Sequence, residues 1–320
     1  MADLTTTSLD FDQLIGWADD DHAAALTVFK NSSGDLPGQD WAKICALVST
    51  TTNARNFFER HFRPALIQDG KPMLFTGYYE PELRGSLFPD STFRYPIYTL
   101  PPGLQQDQPW LTRQQIEQSG VLLRQGLEIA WLADPADLFF LQVQGSGRIK
   151  LPDSRVIRVG YAGKNGQPYS SIGAELVARG VFAAKKVTAD AIRAWIRTNP
   201  EKGQELLWTN ASFVFFRELS ELPADQGPLG AMNRSVTPLR SIAVDPSIVP
   251  LGAPVWIEKA GKPPMNRLMM AQDTGSAIKG AQRADIFYGT GVKAGLAAGK
   301  VRDAGRMVVL FPKYLASSRP

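Results

Sequence analysis

Proline and glycine cut the last third of the chain into short apolar segments. Pro246, Pro250, Gly252, Pro254, Gly261, Pro263 and Pro264 leave room only for runs such as 241–244, 254–258, 268–272 and 307–311. Proline lacks the N–H that a helix interior or a central strand needs. Short strands at this spacing predict a barrel in preference to a doubly wound parallel sheet. Upstream, residues 9–62 carry apolar residues at helical spacing, and 73–79 and 95–100 read as strands. In the middle, 129–132, 138–143, 156–161 and 213–216 read as strands, 144–147 as a turn, and 171–179, 188–198 and 201–207 as helices. The expectation is a mainly β chain with a helical N-terminal segment and a domain crossing near Pro101-Pro102-Gly103.

Several chemistries lack material. Cys45 is the single cysteine, which excludes an internal disulfide and a cysteine-rich metal site; its helical, apolar setting reads as core. The histidines, His22 and His61, stand away from Gly- or Ser-rich turns, so Ser-His-Asp, Cys-His and zinc arrangements are poorly supplied. The net charge of +4 is mild, and Lys185-Lys186 is the nearest approach to a basic run, so no nucleic-acid partner is expected. No apolar run nears the roughly 18 residues of a membrane span. The start, MADLTTTSLDFDQ, has neither basic n-region nor apolar h-region, as in a cytoplasmic protein or one written without its targeting segment. Carboxylates remain as the acid–base groups, and neither cofactor nor metal is expected.

Asp273-Thr274-Gly275-Ser276, behind the apolar run 268–270, has the form of an aspartic protease loop. A protease of that kind needs a second such loop to share the proton, and none exists; Asp90-Ser91-Thr92 and Asp153-Ser154-Arg155 lack the glycine. Asp273 alone also fits an ordinary turn in which the side chain bonds its own backbone. Asp285 has apolar and aromatic neighbours in Ala284-Asp285-Ile286-Phe287-Tyr288. Lost solvation there would raise its pKa toward that of a general acid, whereas an exposed loop acid paired with Arg283 is the plainer alternative.

The motifs Thr76-Gly77-Tyr78-Tyr79-Glu80-Pro81, Val143-Gln144-Gly145-Ser146-Gly147, Tyr161-Ala162-Gly163-Lys164-Asn165-Gly166 and Ser171-Ile172-Gly173 follow in order. With Ser212-Phe213-Val214-Phe215-Phe216, Ile242-Ala243-Val244-Asp245 and 272–288, they resemble the membrane-bound lytic murein transglycosylase A family over about residues 64–312. Asp245, Asp273 and Asp285 resemble the three aspartates of that family's C-terminal 3D region. The separation 285 − 273 = 12 is one longer than the family pattern.

The resemblance implies a double-psi β-barrel from residues 1–100 plus 235–320. A smaller β-rich domain with helices, 101–234, would be inserted, with a glycan groove between the two. It implies cleavage of the β-1,4 bond between N-acetylmuramic acid and N-acetylglucosamine, leaving a 1,6-anhydro end. Asp285 is the implied acid/base, with Asp273 and Asp245 supporting. Chemistry and resemblance together suggest Thr76, Gln144, Gly145, Ser146 and Ser171 for hydrogen bonding to substrate, and Tyr78 and Tyr79 for stacking, with a plain core role open for both tyrosines. Peptidoglycan strands are the expected partner, with cell-wall enzyme complexes conceivable for a monomeric protein. The expected location is the periplasm, associated with the outer membrane in a full-length form. A hydrolytic glycosidase using both Asp273 and Asp285, or a non-catalytic peptidoglycan-binding scaffold, remain the alternatives.

Overall fold

The structure is a computed structural model that describes residues 4–36, 39–105 and 108–313. The chain starts with β1 (Thr5–Ser8), passes through α1 (His22–Ser33), α2 (Gln39–Val48) and α3 (Ala54–His61), and enters β2 (Phe62–Gln68) and β3 (Leu74–Glu80). Asp21 and Asn53 start α1 and α3 by accepting the N–H groups of Ala24 and Asn56, donors that lack a partner within the helix. The middle holds β4 (Glu82–Ser86), β5 (Tyr95–Tyr98), α4 (Arg113–Ser119), β6 (Glu128–Leu132), α5 (Pro135–Gln144), β7 (Ser146–Lys150) and β8 (Val156–Lys164). It continues with α6 (Ile172–Ala178), α7 (Ala189–Thr198), α8 (Pro200–Trp208) and β9 (Val214–Glu218). The last third has β10 (Ser241–Val244), β11 (Pro254–Lys259), β12 (Met265–Thr274), β13 (Arg283–Thr290), α9 (Gly291–Ala298), β14 (Arg302–Asp303) and β15 (Gly305–Pro312).

Two compact units result: Met1–Tyr79, Asp225–Gly289 and Leu296–Pro320 form the first, and Glu80–Ala224 with Thr290–Gly295 the second. The chain leaves the first unit after Tyr79, well before Pro101, because β4 and β5 pair into the second unit's sheet. It returns after Ala224, before the expected 234.

The first unit carries a nine-stranded sheet in the order β1-β2-β15-β11-β12-β10-β13-β3-β14, in which β10 and β12 run parallel. Its core joins Phe29, Ile44 and Phe58 from the helices to Trp256, Met269 and Val308 from the strands. Cys45 is half-buried against this core, its Sγ donating to the Ser33 carbonyl. The second unit carries a six-stranded sheet, β5-β6-β4-β7-β8-β9, with β4 and β7 parallel.

One element differs in kind from the sequence expectation. Residues 138–143, read as a strand, lie inside α5. Asp134 caps the Ala136 N–H, Pro135 takes the first helical turn with its φ already fixed, and Gly145 ends the helix in the left-handed region at φ 78°. Five apolar residues in a run of six suit either state by periodicity, and here the caps decide. The expected turn at 144–147 is accordingly a helix end running straight into β7.

Candidate active site

Two of the three aspartates meet on one face of the first unit's sheet. β10 lies between β12 and β13, and Ala243 is the register partner of Asp273 on one side and of Asp285 on the other. Facing residues project to the same side, so two carboxylates flank one small residue, their Cα atoms about 10 Å apart across two strand spacings. A bulge creates the match. The β10–β12 register slips between Ile242 and Ala243, which removes Gln272 from the ladder. In unbroken register Gln272 would face Ala243, and Asp273 would point to the opposite side. Gln272 is fully buried and is held by Ser241 and Ser32.

β3, the neighbour of β13, supplies both acids with donors. The Thr76 hydroxyl donates to Asp285 Oδ1 at 2.6 Å, and the Tyr78 hydroxyl donates to Asp273 Oδ2 at 2.8 Å. Thr76 and Tyr78 are two apart in a strand and so share a face. Gly77 between them is required by space: a Cβ there would lie 2.8 Å from the Ala298 Cα. Asp273 Oδ1 also accepts the N–H groups of Thr274 at 2.9 Å and Ala231 at 3.1 Å. The Ala231 contact depends on Gly230, where a Cβ would stand 2.6 Å from the Gln272 carbonyl oxygen. Beneath the acids, Tyr78, Val236, Ala243, Ile278 and Phe287 form a small apolar cluster.

That cluster sets the electrostatics. Burial pushes the Asp273 carboxyl up to about 6; its three hydrogen bonds pull the other way, and the charge of Asp285 adds to the rise. Burial also raises Asp285, against the Thr76 hydrogen bond and the attraction of Arg283. Asp245 differs. Burial works to raise it, but hydrogen bonds from Ser247 and from the Gly280 N–H, with Lys279 nearby, outweigh burial and hold it below the usual carboxylate range. It ties the end of β10 to the loop before β13, a structural fastening.

The raised acids fix a sign for stability against pH. An unfolded aspartate titrates near 3.9. Between about pH 4 and about pH 6 the folded protein keeps on Asp273 a proton that the unfolded chain releases, so stability falls as pH rises through this window. The contribution is at most about 3 kcal/mol for such a group. Urea unfolding of the wild type and Asp273→Asn across pH 4–7 is expected to show a shallower slope in the variant. Part of the slope should remain, from Asp285. Equal slopes would contradict the burial of Asp273.

The other expected site residues are divided between the two units. Tyr78 is buried, with its ring centroid 5.2 Å from that of Phe287, so the ring expected to stack on a sugar has no open face and its hydroxyl serves Asp273. Tyr79 is half-buried on the opposite face of β3. Gln144, Gly145, Ser146 and Ser171 belong to the second unit. Gln144 and Gly145 end α5, Ser146 is buried at the start of β7, and Ser171 caps α6 by accepting the Ala174 N–H. Asn165, from the quoted motif, is fully buried and binds the Leu111 and Ala211 carbonyls. The pairing of Thr76 with Asp285 was not foreseen from sequence; the alternation Thr76, Tyr78 in a strand was the available signal. Among the described residues, no group of three or more His, Cys, Asp or Glu is placed to hold a metal ion.

The chain is similar to known proteins. Residues 74–217 match the MltA specific insert domain, and residues 240–311 match the 3D domain. The chain is thus a β-rich 3D-domain protein carrying that insert. It belongs to the membrane-bound lytic murein transglycosylase A family. The Vibrio cholerae protein of that name is 37% identical over 248 residues, 73% of this chain and 64% of the relative, so the match spans less than two thirds of that protein. The Escherichia coli K12 protein is 33% identical over 309 residues, 91% of this chain and 81% of the relative. The crystal structure of a membrane-bound lytic murein transglycosylase from Agrobacterium tumefaciens superposes with a TM-score of 0.87 at 32% identity, covering 98% of this chain and 99% of that one. Escherichia coli MltA with bound chitohexaose gives 0.73 at 30% identity, covering 93% and 90%. No helix among the described residues is long and apolar enough to cross a membrane.

Proposed function

We propose that this protein is a lytic transglycosylase that cleaves the β-1,4 bond between N-acetylmuramic acid and N-acetylglucosamine in peptidoglycan and leaves a 1,6-anhydro end. Family membership supports the reading, and one observation carries its chemistry: a carboxyl raised by burial, Asp285, with one oxygen engaged by Thr76. In this reading the glycan binds while Asp285 is neutral. Asp285 gives its proton to the glycosidic oxygen as the bond breaks. The oxocarbenium ion that develops is trapped by the 6-hydroxyl of the same sugar. Well-oriented intramolecular attack reaches effective molarities on the order of 10⁵ M, far above that of water, so no enzyme nucleophile is needed. The ionised Asp285 then takes the 6-hydroxyl proton.

Asp273 is assigned to positioning. Its two oxygens already accept three hydrogen bonds from protein groups, which leaves it poorly placed to activate a water. This disfavours the hydrolytic alternative, which requires a second working carboxylate. We further infer that the nine-stranded sheet closes as a double-psi β-barrel, that 80–224 is an insertion into it, and that the protein works in the periplasm at the outer membrane. Peptidoglycan binding through Tyr79, Gln144, Gly145, Ser146 and Ser171 rests on the resemblance.

The deciding experiment is mass spectrometry of a digest of purified peptidoglycan. Muropeptides ending in anhydro-muramic acid, lighter by one water than reducing ends, are the expected products. Reducing muramic acid would make the enzyme a hydrolase, and an unchanged glycan would leave a scaffold.

A further inference from the structure

The acid face does not end at Asp285. Two residues earlier on β13, and hence on the same face, stands Arg283. Its Nη1 donates to the carbonyls of Leu74 at 3.3 Å and Ala284 at 2.7 Å, which fixes the guanidinium beside the edge of β3. On β14, Arg302 is the register partner of Thr76, so it shares the face that carries the Thr76 hydroxyl. The row therefore reads Asp273, Ala243, Asp285, Thr76, Arg302 across five neighbouring strands. Arg283 is half-buried and Arg302 exposed, and neither forms a salt bridge among the described residues.

Two like charges on one face, neither of them paired in a salt bridge among the described residues, are an unfavourable arrangement for a protein to keep in its resting state. Burial lowers the Arg283 pKa, the Asp285 charge raises it, and the Arg302 charge works with burial to lower it. Arg283 also favours the ionised form of Asp285, which opposes the role of a neutral acid. An anion seated on both guanidiniums would relieve the repulsion and draw Arg283's charge away from Asp285. The planar fork of arginine matches a carboxylate in two parallel hydrogen bonds.

We propose that Arg283 and Arg302 form a carboxylate-binding subsite beside Asp285, which takes the anionic substituent of the muramic acid sugar and so separates murein from an uncharged strand. This rests on the transglycosylase reading above. The anion is a carboxylate, either that of the 3-O-lactyl group itself or one on a peptide attached to it.

The test is binding, measured by calorimetry in an Asp285→Asn background that blocks turnover. The probes are chitohexaose, which has no carboxylate, murein strands stripped of peptide, and the same strands with peptide. The background protein is expected to bind at least one carboxylated strand about 10-fold more tightly than chitohexaose. Adding Arg302→Gln, at an exposed position, should remove most of that preference while chitohexaose affinity stays the same. Adding Arg302→Lys should restore only part, because the charge returns without the fork. A preference for stripped strands identifies the lactyl carboxylate as the anion, and a preference confined to peptide-bearing strands identifies the peptide. No preference in the background protein, or a preference untouched by Arg302→Gln, overturns the proposal. Failure of the transglycosylase reading would appear separately, as wild-type digests without anhydro ends.

Discussion

Asp285→Asn is expected to give a folded protein that still binds glycan strands and releases muropeptides at least about 10³-fold more slowly than wild type. The loss is large because one carboxyl serves both halves of the reaction, first as proton donor to the leaving oxygen and then as acceptor from the 6-hydroxyl. Folding should survive. Asn keeps an oxygen for the Thr76 hydroxyl, and it removes a carboxylate whose ionised form is penalised by burial. The variant should therefore be no less stable than wild type at neutral pH. Asp273→Asn should cost much less, about 10-fold, because an amide oxygen still accepts from Tyr78 and the loss falls on the geometry of the 225–233 and 273–276 loops. Release of muropeptides by the two purified variants, with circular dichroism to establish folding, checks the pair. Near-normal turnover in Asp285→Asn, with Asp273→Asn inactive but folded, would exchange the roles assigned here.

How much of this site was legible in advance depended on whether the information was local. The apolar flank of Asp285 can be read from Ile286 and Phe287, and its burial follows from them. The strands at 241–244 and 254–258 are bounded by proline and glycine in the sequence itself. What could not be read is register. Asp273 reaches the face of Asp285 because β12 bulges at Gln272, and nothing in Met269-Met270-Ala271-Gln272-Asp273 marks which residue leaves the ladder. The helix at α5 is the opposite case: its caps, Asp134-Pro135 and Gly145, stand in the sequence, but the apolar run between them suits a strand as well as a helix. The boundary near residue 80 was missed because Pro101-Pro102-Gly103 breaks the chain more visibly than Glu80-Pro81, although the pairing of β4 with β6 and β7 is what decides it. For Tyr78 the sequence leaves stacking on a sugar and a plain core role both open, because an aromatic in a motif suits either. Its burial depends on Phe287, which is more than two hundred residues away in sequence.

Glu80→Ala is expected to destabilise the second unit by about 3–5 kcal/mol. Arg148 on β7 and Arg158 on β8 face each other directly in an antiparallel ladder, where like charges with Cβ atoms about 5 Å apart are unfavourable. Glu80 compensates both. It accepts from Arg148 Nε at 2.8 Å through one oxygen and from Arg158 Nη2 at 2.9 Å through the other, with the Thr290 hydroxyl at 2.7 Å. The Glu80 side chain is 1% exposed and that of Arg158 5%, so this is a buried pair and screening by solvent is slight. The same arginines donate to the Pro223 and Ala224 carbonyls, which links the end of the second unit's main segment to its beginning. Without the carboxylate, Arg158 would keep a single carbonyl partner, since its Nε already lacks one. The cost is that of stranding a buried cation, so it should depend on Arg158 being present. Glu80→Leu combined with Arg158→Leu removes both charges and should recover more than half of the loss. Denaturant unfolding of the single and double variants checks this. A Glu80→Ala protein within about 1 kcal/mol of wild type would show that solvent reaches the cluster, and a double variant no better than the single would place the effect in packing instead of charge.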